Sequence, residues 1–332
     1  MTASPGAAPL LEVHDLAVSF KTPDGVLEAV RGVSFGLARG RTLGIVGESG
    51  SGKSVTTQSM VGLTRGARVT GQALFEGRDL LALPAAELRA VRGRGIAMIF
   101  QSPLSSLHPL YTIGWQIAEM IRAHEPVSTA QARARAVELL GHVGIPRPER
   151  RVDDYPHQYS GGMLQRAMIA MAIALNPRIL VADEPTTALD VTVQSQILRL
   201  LRRLQEEFGT AIIMITHDLG VIAETADDVL VMYAGRAMEQ APRESLLRMP
   251  RHPYTQGLLR SRPRLDAIGG RLVPIPGQPP SLIAPPRGCP FQERCEWSID
   301  RCSSTPPPLA DVAGDRAAHR SACWLPERGG TP

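Results

Sequence analysis

A glycine-rich motif in this chain directly follows a short apolar run. Residues 43–46 (Leu-Gly-Ile-Val) predict a buried strand, and residues 47–54 read Gly-Glu-Ser-Gly-Ser-Gly-Lys-Ser. This run matches the pattern G-x-x-x-x-G-K-[ST], which joins a strand to a helix in phosphate-binding loops. Such a loop points several backbone N–H groups inward at an anion, and the following helix adds its positive N-terminal end. The sequence therefore predicts a nucleotide-phosphate site.

Each part of the motif has an expected role around a nucleotide. Lys53 is expected to reach the β- and γ-phosphates, and the Ser54 hydroxyl is expected to ligate Mg²⁺. An ordinary Gly/Ser turn with a surface lysine is the alternative, and the order strand, loop, helix argues against it. The other loop residues are expected to bind the phosphates mainly through their backbone: Gly47, Glu48, Ser49, Gly50, Ser51 and Gly52.

Two acidic residues end another apolar run, residues 179–182, at Asp183 and Glu184. Neighbouring carboxylates at the end of a buried strand repel each other, and they are costly to desolvate unless a cation compensates. A metal-bound nucleotide supplies that cation. We expect Asp183 to hold Mg²⁺ through water and Glu184 to polarise the attacking water as general base. Without the phosphate loop, capping of the next helix would explain the pair equally well.

The order of the predicted elements indicates an α/β fold. Apolar strands are predicted at residues 179–182 and 211–215, with a helix over 193–208 between them, and this alternation favours a parallel sheet. A helix is also predicted over residues 130–143, where Ser128 and Thr129 offer a cap.

Near the start of the chain, residues 11–13 and 16–20 alternate as two strands before a turn signal. Beyond about residue 250 proline becomes frequent and apolar periodicity stops. A domain boundary is therefore predicted there, between residues 1–250 and 251–332.

Composition excludes several classes of protein. No apolar run reaches the length of about 18 to 20 residues that spans a bilayer. The first ten residues lack the basic and apolar regions of a signal peptide, so we expect a cytoplasmic location with membrane contact only through a partner. The net charge of +4 comes from arginines interleaved with acidic residues. That pattern is typical of a solvated surface, and no nucleic-acid partner is expected.

A second helix start also has the character of an anion site. Residues 159–166 read Tyr-Ser-Gly-Gly-Met-Leu-Gln-Arg, in which Ser160 is a natural N-cap. Gly161 and Gly162 leave backbone N–H groups open to an anion at the start of this helix. Two such helix starts indicate either two phosphate sites or one shared site.

The chain resembles the ATP-binding proteins of ABC transporters. The run 160–190, which includes Ala-Asp-Glu-Pro-Thr-Thr-Ala-Leu-Asp at 182–190, resembles their signature and Walker B regions. The resemblance covers roughly residues 10–250. It implies a P-loop NTPase fold with an antiparallel β subdomain and a helical subdomain at about 103–176. In that family two such domains stack head to tail, so that the signature loop of one closes on the nucleotide held by the other.

The sequence departs from the family pattern at Met163, where many members have glutamine. Because Ser160, Gly161 and Gly162 are the residues expected to meet phosphate, we expect this departure to matter little.

Four further positions carry family roles by resemblance. Gln101 resembles the glutamine that senses Mg²⁺ and water and couples to the membrane subunit. Asp190 resembles the acidic residue of the loop that crosses the dimer interface, and His217 resembles the switch histidine that contacts the γ-phosphate. Phe20 resembles the aromatic residue that stacks on adenine, although it could equally be a core strand residue.

The resemblance also implies partners. These are two membrane-spanning permease subunits, a second ATP-binding subunit (a sister chain or a copy of this one) and, indirectly, an extracellular substrate-binding protein. The chain would then lie at the cytoplasmic face of the membrane, and residues 103–111 are the predicted docking segment. Two alternatives stay open: a soluble ABC-type ATPase of DNA repair or translation, and a regulatory ATP-binder. The first expects tandem ATPase domains, and the second expects loss of Glu184 or His217.

The tail narrows the class of cargo. Residues 252–255 (His-Pro-Tyr-Thr), 275–280 (Ile-Pro-Gly-Gln-Pro-Pro) and 288–291 (Gly-Cys-Pro-Phe) resemble the C-terminal extension of oligopeptide and dipeptide importer ATPases. Peptide import is therefore the expected function. The subfamily also includes relatives for nickel, glutathione and some sugars, so these cargoes remain alternatives.

All the cysteines of the chain lie in this tail: Cys289, Cys295, Cys302 and Cys323. A reducing cytoplasm argues against disulfides. The gaps between them are wider than those of most zinc pairs, whereas ligation of an iron–sulfur cluster tolerates varied spacing. Subfamily members with a similar tail carry a [4Fe–4S] cluster, which is the preferred expectation, with zinc or free thiols as alternatives.

Overall fold

The computed structural model describes residues 9–187, 189–261, 274–312 and 318–325. Ala188 of the Walker B run and the remaining parts of the tail lie outside the described residues. The chain divides into two compact units: unit 1 comprises Met1–Ala38, Thr42–Ala82 and Thr216–Pro332, and unit 2 comprises Arg39–Arg41 and Leu83–Ile215.

The strands, in chain order, are β1 (Leu11–Thr22), β2 (Gly25–Leu37), β3 (Thr42–Val46), β4 (Ala67–Phe75), β5 (Arg78–Asp79), β6 (Ile96–Ile99), β7 (Ile179–Asp183), β8 (Ala211–Thr216), β9 (Asp228–Tyr233), β10 (Arg236–Pro242), β11 (Ala310–Asp311) and β12 (Arg320–Ser321).

The helices, in chain order, are α1 (Lys53–Met60), α2 (Ala85–Val91), α3 (Pro103–Ser106), α4 (Ile113–Arg122), α5 (Thr129–His142), α6 (Pro148–Arg151), α7 (Gly161–Ile173), α8 (Val191–Phe208), α9 (Leu219–Thr225), α10 (Arg243–Arg248), α11 (Pro253–Arg260) and α12 (Asp300–Ser304). Short 3-10 turns occur at Leu80–Ala82, Pro156–Gln158 and Gln292–Arg294. Within the described residues, none of these helices has the length and apolar character to cross a bilayer.

One sheet of unit 1 is antiparallel, with strand order β2–β1–β4–β5. Val13 and Leu16 of β1 are both buried although they are three residues apart, because the register shifts between them. Asp15 has a φ of 47° at this shift. Gly71 lies opposite, where an added Cβ would come within 2.6 Å of the Asp15 carbonyl oxygen. The two strands predicted at 11–13 and 16–20 are therefore a single strand with a bulge.

The other strands of unit 1 connect the phosphate-loop region with the tail. β3 pairs in parallel with β9, and β9 pairs antiparallel with β10. Two short tail strands extend this edge, since β12 pairs with Glu239 and Gln240 of β10 and β11 pairs with β12. The tail thus adds strands to the sheet that carries β3.

Unit 2 contains the predicted parallel strands. β6 pairs in parallel with β7, and β7 pairs in parallel with β8. α8 connects β7 to β8 and buries one face through Ile197, Leu201 and Leu204. The continuous burial of β7 and β8 explains their unbroken apolar sequences, because both faces of such strands are covered. The α/β prediction is confirmed.

The helical part of unit 2 is built on α4, α5 and α7, which pack against one another. α5 begins at Thr129, one residue before the predicted start at residue 130, because Ser128 caps it and forms a capping box with Gln131. α7 is buried along most of its length, in agreement with its apolar sequence. The subdomain predicted at about 103–176 lies within unit 2, which also includes β6, β7 and α8.

Candidate functional site

The phosphate loop lies in unit 1 between β3 and α1. Two of its glycines are required by close approach of neighbouring backbone. A Cβ at Gly47 would come within 2.1 Å of the Met232 carbonyl oxygen, and one at Gly52 would come within 2.4 Å of the Ala29 carbonyl oxygen. Gly52 also has a φ of 96°, which favours glycine, at the N-cap of α1. The loop is therefore folded tightly against β2 and β9.

A buried cation lies inside this loop. The Lys53 side chain donates to the carbonyl oxygens of Gly47 (2.8 Å) and Glu48 (2.9 Å), and the residue is only 5% exposed. The Ser51 hydroxyl is also buried and has no hydrogen-bond partner among the described residues. An ammonium group and a buried hydroxyl surrounded by the backbone of the loop form a suitable binding site for an oxyanion such as a phosphate.

The other residues of the motif differ in their exposure to solvent. Ser49 and Gly50 are exposed, and Ser54 is half-buried as the second residue of α1. Two more predicted site residues of unit 1 lie outside the phosphate loop. Phe20 is half-buried in β1, opposite Leu27 and Ala67, and His217 is exposed just after β8.

The carboxylate pair lies in unit 2 at the end of β7. Asp183 is the last residue of the strand and is 3% exposed. Glu184 follows with a φ of 48°, and its N–H donates to the Ile215 carbonyl oxygen at 2.9 Å. A positive φ is strained for a residue with a side chain, and such strain is concentrated at functional sites.

Two side chains hold the carboxylate of Glu184. The Gln101 amide Nε2 donates to Glu184 Oε2 at 3.0 Å, and the Thr187 hydroxyl donates to the same oxygen at 2.9 Å. The structure thus brings together Gln101 and Glu184, which are distant in sequence. Two donors stabilise the ionised form and fix its orientation, as a general base needs. No role is predicted for Thr187 from the sequence, although it lies within the run that carries the family resemblance and holds this carboxylate.

The signature segment begins α7 in unit 2. The Ser160 side chain accepts a hydrogen bond from the Met163 N–H at 3.4 Å, so Ser160 is the predicted N-cap. A Cβ at Gly162 would lie 3.0 Å from the Val193 side chain. Gly161 is exposed, whereas Gly162 and Met163 are half-buried. The helix start therefore has an exposed glycine beside a capping hydroxyl.

Asp190 has a structural partner in unit 2. Its Oδ1 accepts a hydrogen bond from the Val193 N–H at 2.9 Å and caps α8. The predicted helix over 193–208 accordingly begins at Val191. A capping role and an interface role use different properties of the carboxylate, and both remain compatible with this geometry.

The four cysteines line one small cavity in unit 1, together with His252, Phe291 and Trp297. All four are free thiols. Burial raises the pKa of Cys289 to about 12 and that of Cys295 to about 11, so both are protonated when nothing binds them. Among the described residues, no three His, Cys, Asp or Glu side chains are grouped closely enough to hold a metal ion.

Residues of the tail also reach the phosphate loop, and no pattern in the sequence predicts these contacts. Arg294 forms an ion pair with Glu48 at 2.8 Å, and the Tyr254 hydroxyl accepts a hydrogen bond from the Glu48 N–H at 2.8 Å. Both contacts join residues more than 200 positions apart. Only the folded chain brings such positions together.

The sequence matches two known families. Residues 30–187 match the family described as ABC transporter, and residues 238–302 match the family described as the C-terminal region of oligopeptide/dipeptide transporters. The chain is 52% identical to the oligopeptide transport ATP-binding protein OppD of Salmonella typhimurium over 96% of this chain and 94% of that one. It is 49% identical to the dipeptide transport ATP-binding protein DppD of Bacillus subtilis over 96% and 95% of the two chains.

Solved structures show the same fold. The dimeric ATP-binding cassette MJ0796 in a post-hydrolysis state with ADP and Pi has a TM-score of 0.63 and is 28% identical. The match covers 70% of this chain and 98% of that one.

Proposed function

The chain belongs to the oligopeptide and dipeptide group of ABC transporter ATP-binding proteins, and from this premise we propose that it energises the import of peptides by hydrolysing ATP. The observation that carries the proposal is the similarity to peptide-transport ATP-binding proteins along nearly the whole chain, tail included. The complete set of motif residues supports it, since neither Glu184 nor His217 is lost. The alternative of a non-hydrolysing regulatory ATP-binder expects such a loss.

Within this proposal Glu184 is the general base. Its carboxylate is held by Gln101 and Thr187, so it can accept a proton from a water aligned with the γ-phosphate. Lys53 binds the β- and γ-phosphates, and His217 contacts the γ-phosphate. Ser54, Gln101 and, through water, Asp183 would supply the oxygen ligands that Mg²⁺ prefers, and the bound ion would offset negative charge on the phosphates.

The signature segment is assigned to a second nucleotide. The exposed start of α7 at Ser160 and Gly161 can offer backbone N–H groups to a phosphate held by another ATP-binding subunit. We therefore infer a pair of such subunits, identical or homologous, with Asp190 at their interface. An extracellular substrate-binding protein would act on the permease side of the complex.

An exposed apolar surface of unit 2 supports attachment to a membrane subunit. It is formed by Leu104, Leu110, Tyr111 and Trp115, of which Leu110 is 76% exposed. Tyr111 and Trp115 stack with ring centroids 4.1 Å apart. The Gln116 side chain donates to the carbonyl oxygens of His108 and Tyr111 and so fixes the segment. Exposed aromatic and aliphatic side chains on a rigid segment are typical of protein interfaces.

Substitutions on this surface test the docking role. We expect L110S and W115S to reduce peptide-stimulated ATPase activity and transport while sparing the basal ATPase activity of the isolated chain. M249S is the matched control, because Met249 is a similarly exposed apolar residue of unit 1. Equal loss of basal and stimulated activity in L110S would refute the placement.

We further infer that the four cysteines bind a [4Fe–4S] cluster. They line one cavity, they are not used in disulfides, and thiolates are the ligands that iron–sulfur clusters prefer. A single zinc ion needs sulfurs about 2.3 Å from one centre. Among the described residues no three such side chains are grouped for one metal ion, and zinc is the alternative that the metal analysis below distinguishes from the cluster.

Anaerobic purification followed by iron, sulfide and zinc analysis tests this assignment. We expect about four irons and four sulfides per chain, with a brown absorbance that C302S abolishes. C302S is chosen because Cys302 is buried within the cavity wall. A colourless protein with one zinc per chain would overturn the cluster.

Co-purification and uptake test the transport function itself. The tagged chain, expressed with the membrane proteins encoded beside it, is expected to bring them along and to drive peptide uptake into vesicles that contain ATP. Uptake of nickel, glutathione or a sugar instead of peptides would show that the proposed peptide cargo is wrong. A chain that purifies without any membrane partner and supports no uptake would favour the soluble ATPase.

A further inference from the structure

A tail residue of unit 1 is attached directly to the phosphate loop. Arg294 Nη1 donates to Glu48 Oε2 at 2.8 Å, and Nη2 donates to Glu48 Oε1 at 3.1 Å. The Arg294 side chain is 6% exposed and that of Glu48 is 25% exposed. A bidentate ion pair of this kind fixes the relative orientation of the two side chains and also joins opposite charges. Its limited exposure to solvent protects it from screening by salt.

The guanidinium group is itself held rigidly. Its Nε donates to the Pro276 carbonyl oxygen at 2.7 Å, and Nη1 also donates to the Tyr233 hydroxyl at 3.1 Å. Gly277 has a φ of 76°, and a Cβ there would lie 3.3 Å from the Arg294 side chain. A guanidinium group stays protonated throughout the accessible pH range. Arg294 is therefore a permanently charged anchor.

The same loop residue has a second anchor through its main chain. The Glu48 N–H donates to the hydroxyl of Tyr254, which is fully buried. The Tyr254 ring packs against Tyr233 (4.6 Å between centroids) and against Phe291 of the tail (5.3 Å). Residues beyond position 250 thus hold Glu48 through both its side chain and its backbone.

The position of Glu48 gives this attachment a consequence for nucleotide binding. Glu48 lies between Gly47 and the rest of the motif, and its carbonyl oxygen accepts a hydrogen bond from Lys53. A carboxylate in a loop that binds a triphosphate repels it unless a cation neutralises the carboxylate. Arg294 supplies that cation and keeps the carboxylate turned toward the tail.

We propose that Arg294 is a positioning residue for ATP binding: by pairing with Glu48 it neutralises and orients the phosphate loop from the C-terminal tail. Because Arg294 directly precedes Cys295, the tail holds this residue beside its cysteine cavity. The proposal rests on ATP binding by this family and needs neither the peptide cargo nor the cluster.

Equilibrium binding of Mg-ATP and Mg-ADP to the purified full chain tests it. We expect R294A to raise the Kd for ATP by about tenfold, which corresponds to about 1.4 kcal/mol. The Kd for ADP should rise less, because ADP carries less negative charge near the loop. In an E48Q background the uncompensated carboxylate is absent, so adding R294A should raise the Kd for ATP by less than about threefold relative to E48Q alone.

Two further variants control for structural damage. R260A removes another tail arginine, whose pair with Glu296 is exposed and does not reach the loop, and it should leave both Kd values unchanged. R294K keeps the positive charge but cannot form the bidentate pair, so its Kd for ATP should lie between those of R294A and the wild type. R294K also replaces R294A as the test variant if R294A does not fold. An unchanged Kd for ATP in R294A, or the same rise with and without E48Q, would overturn the proposal. Because nucleotide binding is measured on the chain alone, a wrong cargo would leave these results unaffected.

Discussion

At the scale of single residues, Asp190 shows how one side chain can serve both folding and function. Its Oδ1 caps α8 through the Val193 N–H. Family resemblance assigns its charge to the interface between two ATP-binding subunits. The cap requires only an acceptor oxygen, whereas an interface role requires the negative charge. The two roles can therefore be separated by substitution.

Replacing Asp190 with asparagine or alanine separates them. D190N keeps an acceptor, so its free energy of unfolding should stay close to that of the wild type, whereas D190A should lose about 1 kcal/mol. We expect both variants to show reduced ATPase activity in the assembled complex. Denaturant unfolding and steady-state ATPase assays measure the two properties. Full activity in D190N would mean that Asp190 acts only as a cap.

The geometry around Glu184 also belongs to this scale. The place of Glu184 after an apolar strand predicts its role as general base, but it does not predict its φ of 48° or its two hydrogen-bond donors. The bond to Gln101 joins positions that are 83 residues apart. Local patterns do not encode such a distance, because it depends on how β6 and β7 pair.

At the scale of elements, α5 illustrates what local sequence does determine. The Ser128 side chain accepts a hydrogen bond from the Gln131 N–H, and the Gln131 side chain accepts one from the Ser128 N–H. Both bonds lie within four consecutive residues, so the start of the helix was predictable. The single bulged strand β1 was not, because the shift at Asp15 is accommodated by Gly71 on a different strand.

Removing this cap should destabilise the chain by a predictable amount. We expect S128A to lower the free energy of unfolding by about 1 kcal/mol, because the N–H of Gln131 loses its acceptor. S128D, which restores an acceptor at the same position, is the control and should recover most of the loss. Urea unfolding measures both; equal stability of S128A and the wild type would contradict the assignment.

At the scale of the whole molecule, the tail is part of unit 1. Its strand β12 pairs with β10, and His319 Nε2 lies 2.6 Å from Glu239 Oε1 with both side chains fully buried. Glu239 also accepts hydrogen bonds from the N–H groups of Arg251 (2.6 Å) and His252 (3.0 Å). The change in composition near residue 250 therefore lies inside unit 1 and not at its edge.

Glu239 should therefore be important for stability although it lies far from the nucleotide motifs in sequence. We expect E239A to lower the free energy of unfolding by about 3 to 5 kcal/mol, because it leaves buried donors without an acceptor. Glu244 is exposed, and E244A should change stability little. A thermal or urea unfolding curve for E239A that matches that of E244A would contradict this view of the tail.

This chain is an ATPase, and we propose that its turnover depends on Glu184. A comparison of the wild type with E184Q, in the complex purified with its membrane subunits, tests this dependence. We expect E184Q to reduce ATP turnover by at least about a hundredfold while ATP stays bound to a stable pair of ATP-binding subunits. Turnover in E184Q that equals that of the wild type would contradict the assignment of the general base.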